Sequence, residues 1–89
     1  MSKVHITLVG AQAAPVYNGI VATEPDYVIF ICSDDSEKTV KAVVTEIDIP
    51  NEKILISPTN PIEIAKIAKQ LADRFNEDEV ILNISSGLK

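Results

Sequence analysis

The sequence predicts an α/β domain in which one parallel sheet lies between two layers of helices. Apolar runs of strand length alternate with segments whose apolar residues recur at helical spacing, in the order β-α-β-α-β-α-β. The 89 residues are 46% apolar but only 4% aromatic, so the core must consist mainly of Ile, Val, Leu and Ala, as in sheets covered on both faces. At this length we expect a single domain over residues 1–89.

Four segments have the pattern of strands. Residues 3–9 alternate apolar and other side chains, and residues 27–32 form a continuous β-branched and aromatic run that is typical of a buried parallel strand. Residues 53–56 form a short third strand, and residues 80–84 supply the fourth.

Three segments between the strands have the pattern of helices. The first covers residues 14–22, where Gly19 lowers the helix propensity. The second follows the N-cap candidates at residues 33–36. The third begins with Asn60 as N-cap and Pro61 at the first helical position, and an apolar stripe follows.

The connections are long enough for right-handed crossovers, which predicts the strand order 3-2-1-4 in a Rossmann-like, three-layer fold. The first two helices then cover one face of the sheet and the third covers the other. Ligands in such sheets bind outside the carboxyl ends of the strands where the order reverses, here between strands one and four.

The loops at this switch point are residues 10–13 and residues 85–89. Their small and polar residues can bring backbone N–H groups and hydroxyls close to a phosphate. An alternative is that Gly10 and Gly87 only let the chain turn sharply at the end of a strand.

With a net charge of −5, the chain lacks the overall positive charge that would attract duplex nucleic acid or a phospholipid surface. No apolar stretch approaches the roughly 20 residues of a membrane span. Cys32 is the only cysteine, and residues 1–4 lead into a strand pattern without a signal peptide. We therefore expect a cytoplasmic protein.

Standard nucleotide-binding motifs are missing. Residues 10–15 lack the second and third glycines of G-x-G-x-x-G, and residues 85–89 do not match the P-loop. This argues against dinucleotide binding and against P-loop NTPase activity. Asp34 and Asp35 follow the second strand, where we expect them to cap a helix rather than bind a ribose.

Three further residues carry polar or reactive groups. His5 has no second metal-ligating residue at a suitable spacing, so we predict a structural role and no metal site. Cys32 ends a buried strand and is expected to pack as a small apolar residue. Asn83 interrupts an apolar strand, and we expect its amide to brace the adjacent loops. No nucleophile–base arrangement or carboxylate pair is evident.

Two segments resemble the CRISPR-associated Rossmann-fold (CARF) family. The sequence ITLVGAQAAP at residues 6–15 is similar to the first strand and loop of that family. The sequence VILNISSGLK at residues 80–89 resembles its fourth-strand signature, a hydrophobic strand followed by Asn, a hydrophobic residue, Ser or Thr, two glycines, Thr and Lys. Ser86 departs from the first of these glycines and Leu88 from the hydroxyl residue.

The resemblance implies a homodimer that binds a cyclic oligoadenylate, either a tetra- or a hexa-adenylate, and regulates an effector in type III CRISPR antiviral defence. It implies no cofactor. The family continues beyond the segment matched here and carries an effector domain, so we expect this chain to be the front part of a longer architecture. By resemblance, Lys89 neutralises a phosphate and Asn83 supports the loop. The other expected ligand-binding residues are Gly10, Ala11, Gln12, Ser85, Ser86 and Gly87.

Two other functions remain open. Some members of the family cut their own ligand, so the chain is alternatively a minimal ring nuclease in which Lys89 contributes to catalysis. It is alternatively an inactive fragment of a Rossmann-like nucleotide-binding protein. A phosphoacceptor domain is disfavoured, because the first and third strands end at Val9 and Ile56 without acidic residues.

Overall fold

The computed structural model describes residues 2–10, 12–56 and 61–83, and within these ranges the chain forms four strands and three α-helices in the predicted alternation. The strands are β1 (Lys3–Leu8), β2 (Tyr27–Cys32), β3 (Asn51–Leu55) and β4 (Glu79–Asn83). The helices are α1 (Ala13–Thr23), α2 (Glu37–Glu46) and α3 (Pro61–Arg74). None of these helices has both the length and the apolar character that crossing a membrane requires.

All four strands are parallel and lie in the order β3-β2-β1-β4. β1 is therefore central, with Ile6 opposite Ile29 of β2 on one side and opposite Leu82 of β4 on the other. This confirms the predicted Rossmann-like α/β fold and its strand order.

The helices cover the two faces of the sheet as the crossover rule predicts. α1 and α2 pack on one face and α3 packs on the other, so each face has its own apolar cluster. The first cluster contains Val9, Val16, Ile20, Val28, Phe30, Cys32, Val40 and Val43. The second contains Val4, Ile6, Ile29, Ile31 and Leu71.

β2 explains why a continuous apolar run predicts a strand here. Successive side chains of a strand point to opposite faces, and both faces of this strand are covered by helices. Val28 and Phe30 therefore lie in the first cluster, and Ile29 and Ile31 lie in the second.

The two edge strands begin earlier than the sequence predicts. β3 starts at Asn51 rather than residue 53, because Asn51 and Glu52 continue the backbone ladder opposite β2. β4 starts at Glu79 and pairs there with Lys3. A half-solvated edge accepts polar side chains, so the apolar pattern misses these residues. The predicted cap Asn60 and the predicted strand end Ile84 lie outside the described residues.

A one-turn 3₁₀ helix, Asp34–Ser36, leads into α2. The Ser33 N–H donates to Oγ of Ser36 at 3.0 Å, and the Ser36 N–H donates to the Ser33 carbonyl at 3.1 Å. The cap residues are therefore Ser33 and Ser36 rather than the predicted Asp34 and Asp35. The two aspartates instead add negative charge to the first residues of the turn.

The two edges of the described sheet differ in chemistry. On β3, Glu52 forms an ion pair with Arg74 at 2.7 Å, and Lys53 forms one with Glu37. β4 instead carries two exposed apolar side chains, Val80 (42% exposed) and Leu82 (64% exposed). Charged side chains protect an edge from further strand pairing, and β3 has two of them in ion pairs, whereas β4 has Glu79 at its start. Leu55, at the end of β3, is also exposed (47%).

Candidate functional site

The carboxyl ends of β1 and β4 form the predicted switch point. The two strands are parallel neighbours, and the last pair in their register is Thr7 opposite Asn83. α1 leaves β1 across one face of the sheet, and α3 packs against the other face before the chain enters β4. The helices diverge at this edge, where open α/β sheets bind their ligands.

The loop after β1 leads directly into the amino terminus of α1. The Val9 N–H still donates to the Ile31 carbonyl at 2.9 Å, so the chain leaves the sheet only at Gly10. Gln12 is the N-cap residue of α1, with an extended backbone and an exposed side chain that makes no capping hydrogen bond. The first turn has no acidic residue. The first turn of α1 therefore supplies no carboxylate to the positive end of its own dipole.

Three of the predicted site residues lie within the described part of the chain. Gly10 is half-buried, Gln12 is exposed and Asn83 is half-buried, and all three follow or end strands at the carboxyl edge of the sheet. The remaining predicted site residues, Ala11, Ser85, Ser86, Gly87 and Lys89, lie outside the described residues.

Asn83 packs against α1 at Gly19. A Cβ atom at Gly19 would overlap Nδ2 of Asn83, and it would lie 3.7 Å from Cε1 of His5. The helical glycine, which lowers the helix propensity of α1, therefore leaves room for the Asn83 side chain against the helix. A glycine inside a helical pattern is a signal for such a close contact, but the sequence does not name the partner.

His5 lies buried on the face of β1 that α1 covers. Its Nδ1 is 2.9 Å from Oγ1 of Thr23, and that hydroxyl is also 3.0 Å from the Gly19 carbonyl. Thr23 has one hydroxyl proton, and when it donates that proton to the helix carbonyl, Nδ1 of His5 must be the donor to Oγ1. Nε2 of His5 is then an acceptor, and it has no hydrogen-bond partner within the described residues.

Burial lowers the pKa of His5 below its ordinary value of 6.5. The folded protein then binds fewer protons than the unfolded chain between the lowered pKa and pH 6.5, so its stability falls as the pH falls through this range. We expect a loss of up to about 1.4 kcal/mol per pH unit relative to a His5→Gln variant, measured by urea denaturation at about pH 7.5 and about pH 5.5. Parallel pH profiles for the two proteins would contradict this expectation.

An open groove of about 420 Å³ runs along the boundary between α1 and β4. Small or apolar residues form most of its lining, and none of the lining residues carries a carboxylate, an ammonium or a guanidinium group. Its lining residues are His5, Gly19, Ala22, Thr23, Ile81, Leu82 and Asn83.

Neither a metal centre nor a reactive thiol is found within the described ranges. No three His, Cys, Asp or Glu side chains come together there in a way that would hold a metal ion. Cys32 is 2% exposed, and burial raises the pKa of its thiol. A buried neutral thiol packs as an apolar group rather than acting as a nucleophile.

Comparison with known proteins gives no match to a family model and no match to a curated protein.

Proposed function

We propose that this chain is a ligand-sensing domain that binds a cyclic oligoadenylate at the switch point between β1 and β4. In this proposal it regulates an effector in type III CRISPR antiviral defence. The main observation that supports the proposal is the parallel pairing of β1 and β4. In the sequence, the carboxyl ends of these strands are followed by residues 10–12 and residues 84–89. These are the two segments on which the resemblance to the CARF family rests.

The chemistry of the first loop supports binding of a phosphate. Gly10 allows a close backbone approach, and the amino terminus of α1 offers N–H donors and a positive dipole end with no acidic residue in the first turn of the helix. In the proposal, Ser85 and Ser86 supply hydroxyls and Lys89 supplies a positive charge. The net charge of −5 does not prevent this, because distant surface charges are screened over about 8–10 Å at physiological salt.

The proposal includes a homodimer with one ring between two chains. A cyclic tetra- or hexa-adenylate has rotational symmetry that a two-fold interface can match, because each chain supplies the same loops. The groove between α1 and β4 supports this arrangement. It borders the switch point and is lined by uncharged residues, so two copies of an acidic chain can meet there without like-charge contacts.

Isothermal titration with cyclic tetra-adenylate and cyclic hexa-adenylate tests the proposal, with linear oligoadenylate as the control ligand. We expect about one ring per two chains. Loss of a charge-assisted phosphate contact in Lys89→Ala should weaken binding at least about tenfold. Lys66→Ala is the matched control, since it removes the same charge from an exposed position on α3 and should leave binding unchanged.

A folded chain that binds neither ring would overturn the proposal, as would equal weakening by Lys89→Ala and Lys66→Ala. Chromatography of the titrated mixture separates a sensor from the alternative ring nuclease, because only the nuclease would convert the ring into a linear product.

A further inference from the structure

A second open groove, of about 370 Å³, lies at the opposite end of the sheet from the switch point. It forms where α1 and α2 end and the chain turns into β2 and β3. Its lining combines apolar side chains, which we call the floor, with the carboxylates of three acidic residues, which we call the rim. Its lining includes Ile20, Val21, Glu24, Glu46, Ile47 and Asp48.

The floor of this acidic groove exposes apolar surface to solvent. Val21 is 51% exposed although it neighbours the fully buried Ile20, and Ile47 is half-buried. Exposed apolar side chains in a concave site bordered by polar groups are typical of interaction surfaces.

Several groups contribute to a negative electrostatic potential at the acidic groove. Glu24, Glu46 and Asp48 are exposed carboxylates on its rim. α1 and α2 both end here without a basic residue in the last turn, so their negative dipole ends add to the same potential. Lys3 offsets part of this at α1, where its Nζ donates to the Thr23 carbonyl at 2.9 Å.

One of these carboxylates belongs to Glu24, whose left-handed backbone conformation is one that other residue types usually adopt. Glu24 is the C-cap of α1 and has left-handed backbone angles of φ 48° and ψ 58°. Glycine or asparagine is the ordinary choice for such an αL residue next to a helix end. A glutamate here brings its charge to the rim of the acidic groove.

We propose that the acidic groove docks a cationic amphipathic segment of a partner protein. Apolar side chains of the segment lie on Val21 and Ile47, and its Lys or Arg side chains face the three carboxylates. Charge complementarity selects this occupant, because Lys or Arg side chains would pair with the three carboxylates of the groove, whereas an acidic segment would be repelled by them. The proposal is independent of the ligand at the switch point, which lies at the other end of the strands.

The probe is a fluorescein-labelled helical peptide of Leu and Lys, about 14 residues long, whose binding is followed by fluorescence anisotropy. A peptide of Leu and Glu with the same length and pattern is the control ligand and should not bind. We expect Glu46→Lys combined with Asp48→Lys to weaken binding of the Leu/Lys peptide at least about tenfold. Asp73→Lys combined with Glu77→Lys changes the net charge equally on exposed residues outside the groove, and should change the affinity less than about threefold.

A second variant tests the floor without changing the charge. Val21→Ser removes exposed apolar surface and should weaken the peptide about threefold or more, since a buried valine contributes to binding through its apolar area. Peptide-induced shifts in the ¹⁵N-resolved NMR spectrum should cluster at residues 20–24 and 46–49. The proposal is overturned if the peptide does not bind at about 1 mM. Equal weakening by the two charge variants, or shifts that cluster elsewhere, would also overturn it.

Discussion

Phe30→Ala should lower the free energy of unfolding by about 3–5 kcal/mol, the largest effect we expect from a single substitution in this chain. Phe30 is 0% exposed and lies at the centre of β2, where residues of α1 and α2 pack against it. Removing the ring leaves a cavity that two helices and a sheet can only partly close. A domain of this size has a total stability of about 5–15 kcal/mol, so the loss is a large part of it.

Urea denaturation followed by far-UV circular dichroism measures this effect. Ile62→Ala is the matched control, because it also truncates a large apolar side chain but at a position that is 69% exposed. We expect the control to change stability by no more than about 0.5 kcal/mol. If the two substitutions lowered the free energy of unfolding by similar amounts, this would contradict the placement of Phe30 in a buried core.

Gly19→Val should lower the free energy of unfolding by about 1–3 kcal/mol. Valine has a slightly better helix propensity than glycine, so the intrinsic effect on α1 is weakly favourable. The loss arises because the new side chain occupies the space of the Asn83 amide and must displace that amide from its place against α1. The Asn83 side chain packed against Gly19 is therefore the source of the cost.

A double-mutant cycle isolates this contact. In an Asn83→Ala background the cost of Gly19→Val should fall by about 1 kcal/mol or more, because the overlapping amide is gone. Ala14→Val, at an exposed position on the same helix outside the groove that Asn83 lines, is the control and should show no coupling to Asn83→Ala beyond about 0.5 kcal/mol. Additive behaviour of Gly19→Val and Asn83→Ala would show that the contact carries no energy.

The fold was largely predictable from the sequence because local and long-range signals agree. The apolar run at Tyr27–Cys32 predicts a strand covered on both faces, and crossover handedness then assigns the helices to those faces. The start of β3 was not predictable, since Asn51 and Glu52 join the ladder through backbone groups that their side chains do not reveal.

The candidate site was predictable only in its location. Strand order places Gly10 and Asn83 at one edge of the sheet, which the alternation of elements already indicates. The contact between Asn83 and Gly19 joins residues far apart in the chain and depends on the spacing of α1 and β4. The acidic groove likewise joins Glu24 to Asp48 from different loops, so the sequence pattern could not indicate it.

Because the two edges of the sheet differ, the addition of a further strand is not equally favourable at both edges. A strand added beside β3 would desolvate the ion-paired side chains of Glu52 and Lys53, which are now partly hydrated. A strand added beside β4 would instead cover the apolar side chains of Val80 and Leu82. Widening of this fold, whether through a longer sequence or through a designed extension, is therefore easier beside β4 than beside β3.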